Sequence, residues 1–178
     1  RSKQYSYLLF DIDNTLMDFN AGERAALFQT MEEAGVLLSE ADFRRYREIN
    51  RVMWTKFEKG LLDSAAVQRV RFEEFAVHLG RNAAEGPALN EQYVSNLARQ
   101  AIVMDGALDM LKRLHADYRI VAVTNGLHLV QRPRLERSGL LPYLDAAFVS
   151  QEMGVQKPDK VYFDRVLEEL GEQDRGKY

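Results

Sequence analysis

The sequence predicts an α/β fold in which a parallel sheet is interrupted, after its first strand, by a long all-helical insertion. The apolar run over 5–10 is short, rich in aromatic residues and followed at once by acid, as expected of a buried strand. Apolar residues between about 19 and 101 recur at helical spacing instead. From 102 onward, strand-like and helix-like segments alternate, which is typical of a parallel sheet with helical crossovers. We therefore predict an α/β core from 1–18 and 102–178 and a helical domain over 19–101.

The insertion begins with two predicted helices. Asn20 and Glu23 have the spacing of a capping box, which would begin the first helix, and Gly35 would end it. Ser39 can cap the second helix, whose apolar positions keep helical spacing as far as Gly60.

Two further helices complete the insertion. Asp63 or Ser64 would begin the third helix, which ends at Gly80. The segment 81–87 is polar and loop-like, and a weaker helical pattern covers about 89–101. The insertion is thus predicted to be all-helical.

The rest of the core alternates between helices and strands. A helix over about 107–115 precedes a β-branched run over 118–123, which has the composition of a buried parallel strand. A helix over about 129–138 and a short strand over 146–150 follow, and Pro158 would open the last helix.

Composition limits the classes of function. The 178 residues are 46% hydrophobic and 29% charged, which is typical of a soluble globular protein. The net charge of −3, with both signs interspersed, makes a long nucleic acid an unexpected partner. Without cysteine there is neither a disulfide framework nor thiolate catalysis. We see no apolar run of membrane-spanning length and no signal-peptide pattern, so we expect a cytoplasmic protein without a membrane partner. The pattern leaves the oligomeric state open.

Two carboxylates, Asp11 and Asp13, follow the first strand. Strand alternation would direct both toward the crevice where α/β sheets bind ligands. Neighbouring carboxylates repel each other, so the pair requires a shared proton or a cation. Mg²⁺ suits this position because it binds one or two carboxylates together with a substrate phosphate. Taken alone, the segment is also compatible with an acidic turn in which Asn14 and Thr15 are ordinary turn formers.

A possible anion site follows the second predicted strand. Thr124 offers a hydroxyl group, and Asn125 and Gly126 offer backbone N–H groups near a helix N-terminus. A simple Asn-Gly turn is the alternative. Lys157, just before Pro158, supplies a compact positive charge on a flexible stem, although a single lysine is usually a solvated surface residue.

These segments together resemble the haloacid dehalogenase (HAD) superfamily. The residues Asp-Ile-Asp-Asn-Thr-Leu at 11–16 resemble the D-x-D-x-T-L signature of its phosphatase branch. Val-Thr-Asn-Gly at 123–126 resembles the second motif, which binds the phosphoryl group, and Lys157 before Pro158 resembles the third. The resemblance implies a parallel-sheet HAD-like core, and it implies that the helical insertion is a cap that closes over the site.

The resemblance also implies a mechanism. Asp11 would attack phosphorus and form an aspartyl-phosphate, and Asp13 would protonate the leaving alcohol and then deprotonate water. Mg²⁺ would bind Asp11 and the backbone carbonyl of Asp13, while Lys157 would offset negative charge and Thr124 would bind phosphate. An acid at position 13 favours the phosphatase branch over the dehalogenase branch.

The substrate is a small phosphorylated molecule in this interpretation. Asn50 and Trp54 on the second helix, with the Thr-Asn-Gly variant of the second motif, are similar to the bacterial pyrimidine 5'-nucleotidase subgroup. That similarity implies a nucleoside monophosphate, with Trp54 able to stack on a base, although aromatics at helical spacing usually pack in a core. His128 is the histidine we place near the site. A phosphosugar phosphatase or mutase and a non-catalytic phosphate-binding or interaction protein remain as alternatives.

One motif of the superfamily has no match, namely an acidic pair that follows another strand. Glu168 and Glu169 fall within the last predicted helix, and Asp174 has no apolar strand before it. The strand that should flank the first strand is missing too, which would leave the first strand at a sheet edge. We therefore expect the sequence to be part of a longer enzyme, and a chain ending at Tyr178 to bind Mg²⁺ poorly and turn over little.

Overall fold

A computed structural model describes residues 5–171 of the chain. Its contacts divide these residues into two compact units, one formed by 5–21 with 101–171 and the other by 22–100. Within the described residues, no helix is both long enough and apolar enough to cross a membrane.

The first unit is built on a parallel sheet of three strands in the order β1-β2-β3, among the residues described. The strands are β1 (Tyr7–Phe10), β2 (Arg119–Thr124) and β3 (Ala146–Val149). Phe10 pairs with Ala122 in register, so the carboxyl ends of β1 and β2 lie at the same edge. The predicted parallel α/β core is confirmed, and β1 is at the edge of this sheet as expected.

Between residues 101 and 171, the first unit contains the α-helices α5 (Ala107–Leu114), α6 (His128–Ser138), α7 (Ser150–Met153) and α8 (Lys160–Glu169). The four-residue α7 was not predicted. The prediction that Pro158 opens the last helix was wrong, because the Asp159 side chain caps α8 by accepting a hydrogen bond from the Val161 N–H at 2.9 Å. Glu168 and Glu169 lie at the exposed end of α8, as expected, and Asp174 lies outside the described residues.

Strand β2 is buried on both faces, which gives the first unit its layers. Ile120 and Ala122 pack into a cluster on one face that includes Leu111 of α5 and Leu135 of α6. Val121 and Val123 pack on the other face into a cluster that includes Tyr162 and Val166 of α8. Helices on both faces of a parallel strand explain why β2 is almost continuously apolar.

The second unit contains most of α1 (Phe19–Glu33) and the whole of α2 (Glu40–Glu58), α3 (Ser64–His78) and α4 (Gly86–Ala98). The predicted caps of α2 and α3 are confirmed, since the side chain of Ser39 accepts from the Asp42 N–H and that of Asp63 accepts from the Ala66 N–H. Helix α4 begins three residues earlier than predicted, because a short 3-10 turn capped by Asn82 leads directly into it.

The predicted capping box at the start of α1 was wrong. Asp18 caps this helix instead, and its Oδ1 accepts a hydrogen bond from the Ala21 N–H at 2.9 Å. Glu23 is buried, with 3% of its surface exposed, and its Oε1 accepts from Asn50 Nδ2 at 2.8 Å. The periodic pattern located the helix, but it did not show that Glu23 faces inward.

Candidate active site

Asp11 and Asp13 follow the last residue of β1, and Thr124 is the last residue of β2. Because the two strands are parallel neighbours, the structure brings these residues to one edge of the sheet. Lys157, which precedes α8, reaches the same edge. The predicted catalytic residues and Thr124 therefore belong to one cluster within the first unit.

Asp11 is paired with Lys157. The Lys157 Nζ donates to Asp11 Oδ1 at 2.8 Å and to the Val123 carbonyl oxygen at 3.0 Å. The Asp11 side chain remains 46% exposed, which leaves it accessible to a molecule from solvent. The ammonium group is fixed by two acceptors, so it provides a localised positive charge beside an accessible carboxylate.

The side chain of Asn125 has a role that was not predicted. Its Nδ2 donates to the Lys157 carbonyl oxygen and its Oδ1 accepts from the Lys157 N–H, both at 2.8 Å. The amide side chain thus holds the backbone of the loop that carries the lysine. Sequence reasoning assigned to Asn125 only a backbone N–H for anion binding.

Thr124 is positioned by three groups. Its Oγ1 accepts from Gln131 Nε2 at 2.8 Å and from the Gly126 N–H at 3.0 Å, and its own N–H donates to Tyr162 Oη at 3.2 Å. A hydroxyl group has two lone pairs and one proton. Because both lone pairs already accept, the proton is what Thr124 can offer to an anion.

The Gly126 N–H, predicted to donate to substrate, donates to Thr124 Oγ1 at 3.0 Å in this structure. A Cβ atom at this position would lie 2.5 Å from Gln131 Nε2 and 2.6 Å from Gln131 Cδ. A side chain at position 126 would therefore push the Gln131 amide away from its contacts with Asp13 and Thr124. The Asn-Gly sequence alone did not predict this close contact between position 126 and Gln131.

Asp13 is held by two residues that sequence reasoning missed. Arg134 Nη1 donates to Asp13 Oδ1 at 2.6 Å, and Gln131 Nε2 donates to Asp13 Oδ2 at 3.0 Å. Arg134 is fully buried, whereas the Asp13 side chain is 29% exposed. The signal available in the sequence was a polar pair three residues apart on the helix that follows Thr124, a spacing that places both on one helix face.

A magnesium ion would find two oxygen ligands from this chain at the end of β1, the Asp11 carboxylate and the main-chain carbonyl of Asp13. The Asp13 carboxylate is less suited, since both its oxygens accept from protein donors. Among residues 5–171, no group of three His, Cys, Asp or Glu side chains is placed to hold a metal ion. Mg²⁺ commonly keeps several waters and binds a substrate phosphate, so the two oxygens fit an ion that arrives with substrate.

The remaining predicted residues have other surroundings. Trp54 belongs to α2 in the second unit, is half-buried, and makes an edge contact with Phe57 at 5.2 Å between ring centroids. Its role in substrate binding stays a prediction. His128 begins α6, and its Nδ1 is within hydrogen-bond distance of the Glu152 carboxylate. The Arg132 guanidinium beside Glu152, assisted by His128, lowers the pKa of that carboxyl group to about 2.

Comparison with known proteins agrees with the fold and the motifs. A family model of haloacid dehalogenase-like hydrolases matches residues 5–177. The chain is 35% identical over 167 residues to the pyrimidine 5'-nucleotidase PynA of Streptococcus pneumoniae, which covers 93% of this chain and 70% of that protein. It is 32% identical over 174 residues to the pyrimidine 5'-nucleotidase YjjG of Escherichia coli, which covers 98% of this chain and 75% of that protein.

Among solved structures, the magnesium-bound HAD-hydrolase YfnB of Bacillus subtilis matches with a TM-score of 0.89 and 36% identity, over 93% of this chain and 74% of that chain. The family match includes the three segments that contain Asp11, Thr124 and Lys157. The resemblance inferred from those motifs is confirmed, and the chain belongs to the haloacid dehalogenase-like hydrolase family.

Proposed function

We propose that this hydrolase cleaves phosphate monoesters through an aspartyl-phosphate on Asp11, and that its substrate is a nucleoside monophosphate. The observation that carries the proposal is the joining of three separate segments at one sheet edge. Lys157 contacts Asp11, while Gln131 links Asp13 to Thr124. Phosphoryl transfer requires a nucleophile, a group that transfers a proton, a hydrogen-bond donor to the phosphate and a positive charge beside it.

In the first step, a carboxylate oxygen of Asp11 attacks phosphorus as the bond to the leaving oxygen breaks. Asp13 gives its proton to that oxygen, so the product leaves as an alcohol. Lys157 and the Thr124 hydroxyl proton stabilise the charge on the phosphoryl oxygens. When bound to Asp11 and the Asp13 carbonyl, Mg²⁺ would add positive charge against the phosphate.

In the second step, Asp13 acts as a base. It takes a proton from a water molecule whose oxygen attacks phosphorus, and the bond to Asp11 breaks to release inorganic phosphate. Asp13 is ionised at this point because it gave its proton to the leaving group in the first step. Asp13 ends the cycle protonated and ready for the next substrate.

The proposed substrate class draws on two relatives that are named as pyrimidine 5'-nucleotidases. Trp54 is the base-stacking candidate in this chain, because its indole is only half-buried. A phosphosugar substrate is the competing possibility, since one relative is named as a ribulose-1,5-bisphosphate 5-phosphatase, at 27% identity.

Phosphate release by the full-length protein in saturating Mg²⁺ tests the proposal. We expect release from pyrimidine nucleoside monophosphates to exceed release from sugar phosphates, and we expect Asp11→Asn to lower kcat on the order of 10³-fold or more, as loss of a nucleophile does. Asp105→Asn, an exposed carboxylate of the same unit, is the matched control. Absence of release from every substrate, together with failure to trap a beryllofluoride adduct on Asp11, would favour a non-catalytic protein.

A further inference from the structure

The two residues that hold Asp13 occupy one face of α6. Arg134 and Gln131 bind opposite oxygens of the Asp13 carboxylate, at 2.6 Å and 3.0 Å. They also contact each other, because Arg134 Nη1 donates to Gln131 Oε1 at 2.8 Å. Contacts on both oxygens restrict rotation of the carboxylate as well as its position.

The pair Arg134 and Gln131, called the fork below, lies inside the protein. Arg134 is fully buried and Gln131 nearly so, and the Arg134 guanidinium lies 5.7 Å from the centre of the Phe19 ring. A buried guanidinium without a hydrogen-bond partner is strongly unfavourable, so Arg134 keeps its contact with Asp13. The Arg134 side chain is thus shielded from solvent, whereas the Asp13 side chain is partly exposed.

The Gln131 amide also links Asp13 to the Thr124 hydroxyl, the proposed hydrogen-bond donor to phosphate. Gln131 Nε2 is shared between Asp13 Oδ2 and Thr124 Oγ1, at 3.0 Å and 2.8 Å. Thr124 keeps two other contacts without Gln131, since its Oγ1 also accepts from the Gly126 N–H and its own N–H donates to Tyr162 Oη. Loss of the Gln131 amide therefore falls mainly on the orientation of Asp13. The absence of a side chain at Gly126 is what leaves room for this amide.

We propose that Arg134 and Gln131 are positioning residues that orient the Asp13 carboxylate for proton transfer to the leaving group, a role that rests on the phosphatase function proposed above. Neither residue touches the reacting atoms in this proposal. Their effect is exerted on the step in which the phosphorus–oxygen bond breaks and the Asp13 proton moves to the departing oxygen.

Dependence on the leaving group distinguishes positioning from a purely structural role. An alkoxide, such as the 5'-oxygen of a nucleoside, needs a proton as it departs, whereas 4-nitrophenolate is stable without one. Misorientation of Asp13 should therefore slow phosphorylation of Asp11 by a nucleoside monophosphate by about 10- to 100-fold, part of the 10²–10⁴-fold that acid–base catalysis supplies. Phosphorylation by 4-nitrophenyl phosphate should change less than about threefold, because it does not use the acid.

The experiment is rapid-quench measurement of the first turnover with both substrates in Mg²⁺. Gln131→Met keeps the side-chain volume close to that of the wild type, and Arg134→Lys keeps the buried charge, while Arg137→Gln changes an exposed arginine of the same helix as a control. Each variant is first compared with the wild type by thermal unfolding. If Arg134→Lys does not fold, Gln131→Met decides the question alone.

The expected result is a selective loss with the nucleoside monophosphate in the two fork variants and no loss in Arg137→Gln. In an Asp13→Asn background, Gln131→Met should add less than twofold, since the group on which it acts is already gone. Equal losses with both substrates, or a full additional loss in the Asp13→Asn background, would overturn the proposal. Absence of turnover by the full-length wild-type protein with both substrates would instead refute the phosphatase function itself.

Discussion

Asp11 and Asp13 are two residues apart but are stabilised by different cations. Lys157 binds one oxygen of Asp11 and leaves the carboxylate half-exposed, whereas the buried Arg134 and Gln131 occupy both oxygens of Asp13. The repulsion expected between two neighbouring acids is thus offset by two fixed positive charges as well as by any bound metal. The difference in exposure suits Asp11 to attack a substrate and Asp13 to exchange protons.

Lys157 can be tested separately from folding. We expect Lys157→Met to lower kcat by about 10²–10³-fold, because one preorganised electrostatic contact is removed from the phosphoryl group. Stability should change by less than about 1 kcal/mol, since the partner left behind is a half-exposed carboxylate. Lys160→Met, which removes a lysine paired with Asp164 on the exposed face of α8, is the control. Phosphate release and thermal unfolding together measure both effects; unchanged kcat in Lys157→Met would contradict the assignment.

The ion pair of Glu152 predicts a dependence of stability on pH. Arg132 lowers the pKa of Glu152 to about 2 from its usual 4.5, so the folded state favours the ionised form. A lowered carboxyl pKa contributes stability above the unfolded pKa, and this contribution is lost as pH falls from about 4.5 toward 2. For a partly exposed pair we expect about 1 kcal/mol.

Urea unfolding of the wild type and Glu152→Gln measures this contribution. The variant should be less stable by about 1 kcal/mol at pH 7, and the difference should shrink below pH 4.5. Glu91→Gln, at an exposed position of α4, should show no such trend. A difference that grows on acidification would show that the pair does not act in this way.

The residues that sequence reasoning found are those with a recognisable local setting. Asp11 and Thr124 each follow a strand, and Lys157 precedes a proline, so position along the chain was sufficient. Arg134 and Gln131 lie inside a helix, where a polar residue usually faces solvent. Nothing local distinguishes their inward orientation, which depends on the packing of α6 against the sheet.

At the scale of elements, the sequence located the helices better than their first turns. The start of α1 shows why, since both Asp18 and Asn20 are residues that commonly cap helices. The choice between them depends on where the chain leaves β1. Asn20 instead donates its N–H to Asn14 Oδ1 at 3.2 Å, and Asn14 has a positive φ of 57°.

Substitution at the two positions tests this assignment. Asp18→Ala should lower the free energy of unfolding by about 1 kcal/mol, because the Ala21 N–H loses its capping acceptor. Asn20→Ala should cost clearly less, since its N–H remains and alanine is a good helix former. Denaturant unfolding measures both variants. A larger loss in Asn20→Ala than in Asp18→Ala would restore the capping box that the sequence suggested.

At the scale of the whole molecule, the boundaries between the two units lie where the apolar pattern changes from strand-like runs to helical spacing and back. The contacts place the junctions after 21 and after 100, where the sequence pattern predicted them after 18 and after 101. The difference arises because α1 begins in the first unit and continues into the second. The spacing of apolar residues predicts where a helix lies, but it does not show in which of the two cores each helical turn packs.

The second unit has the features of a domain that can fold alone. Its core includes Tyr46, Phe72, Phe75 and Tyr93, which are fully buried and in mutual ring contact. The buried guanidinium of Arg71 finds hydrogen-bond acceptors within the unit, since it donates to the side chains of two asparagines at 3.2 Å and 2.9 Å. The two ends of the unit are adjacent, because a Cβ on Gly22 would lie 3.2 Å from the Cβ of Gln100.

We therefore predict that a polypeptide of residues 22–100 folds into a helical domain by itself. Circular dichroism should show a helical spectrum and a cooperative thermal transition. Phe72→Ala should abolish that transition, because a cavity at a buried phenylalanine costs about 3–5 kcal/mol, close to the whole stability of a small domain. Leu37→Ala, at a fully exposed position, should leave the transition unchanged. A polypeptide without a cooperative transition would mean that the helical unit takes its stability from the rest of the chain.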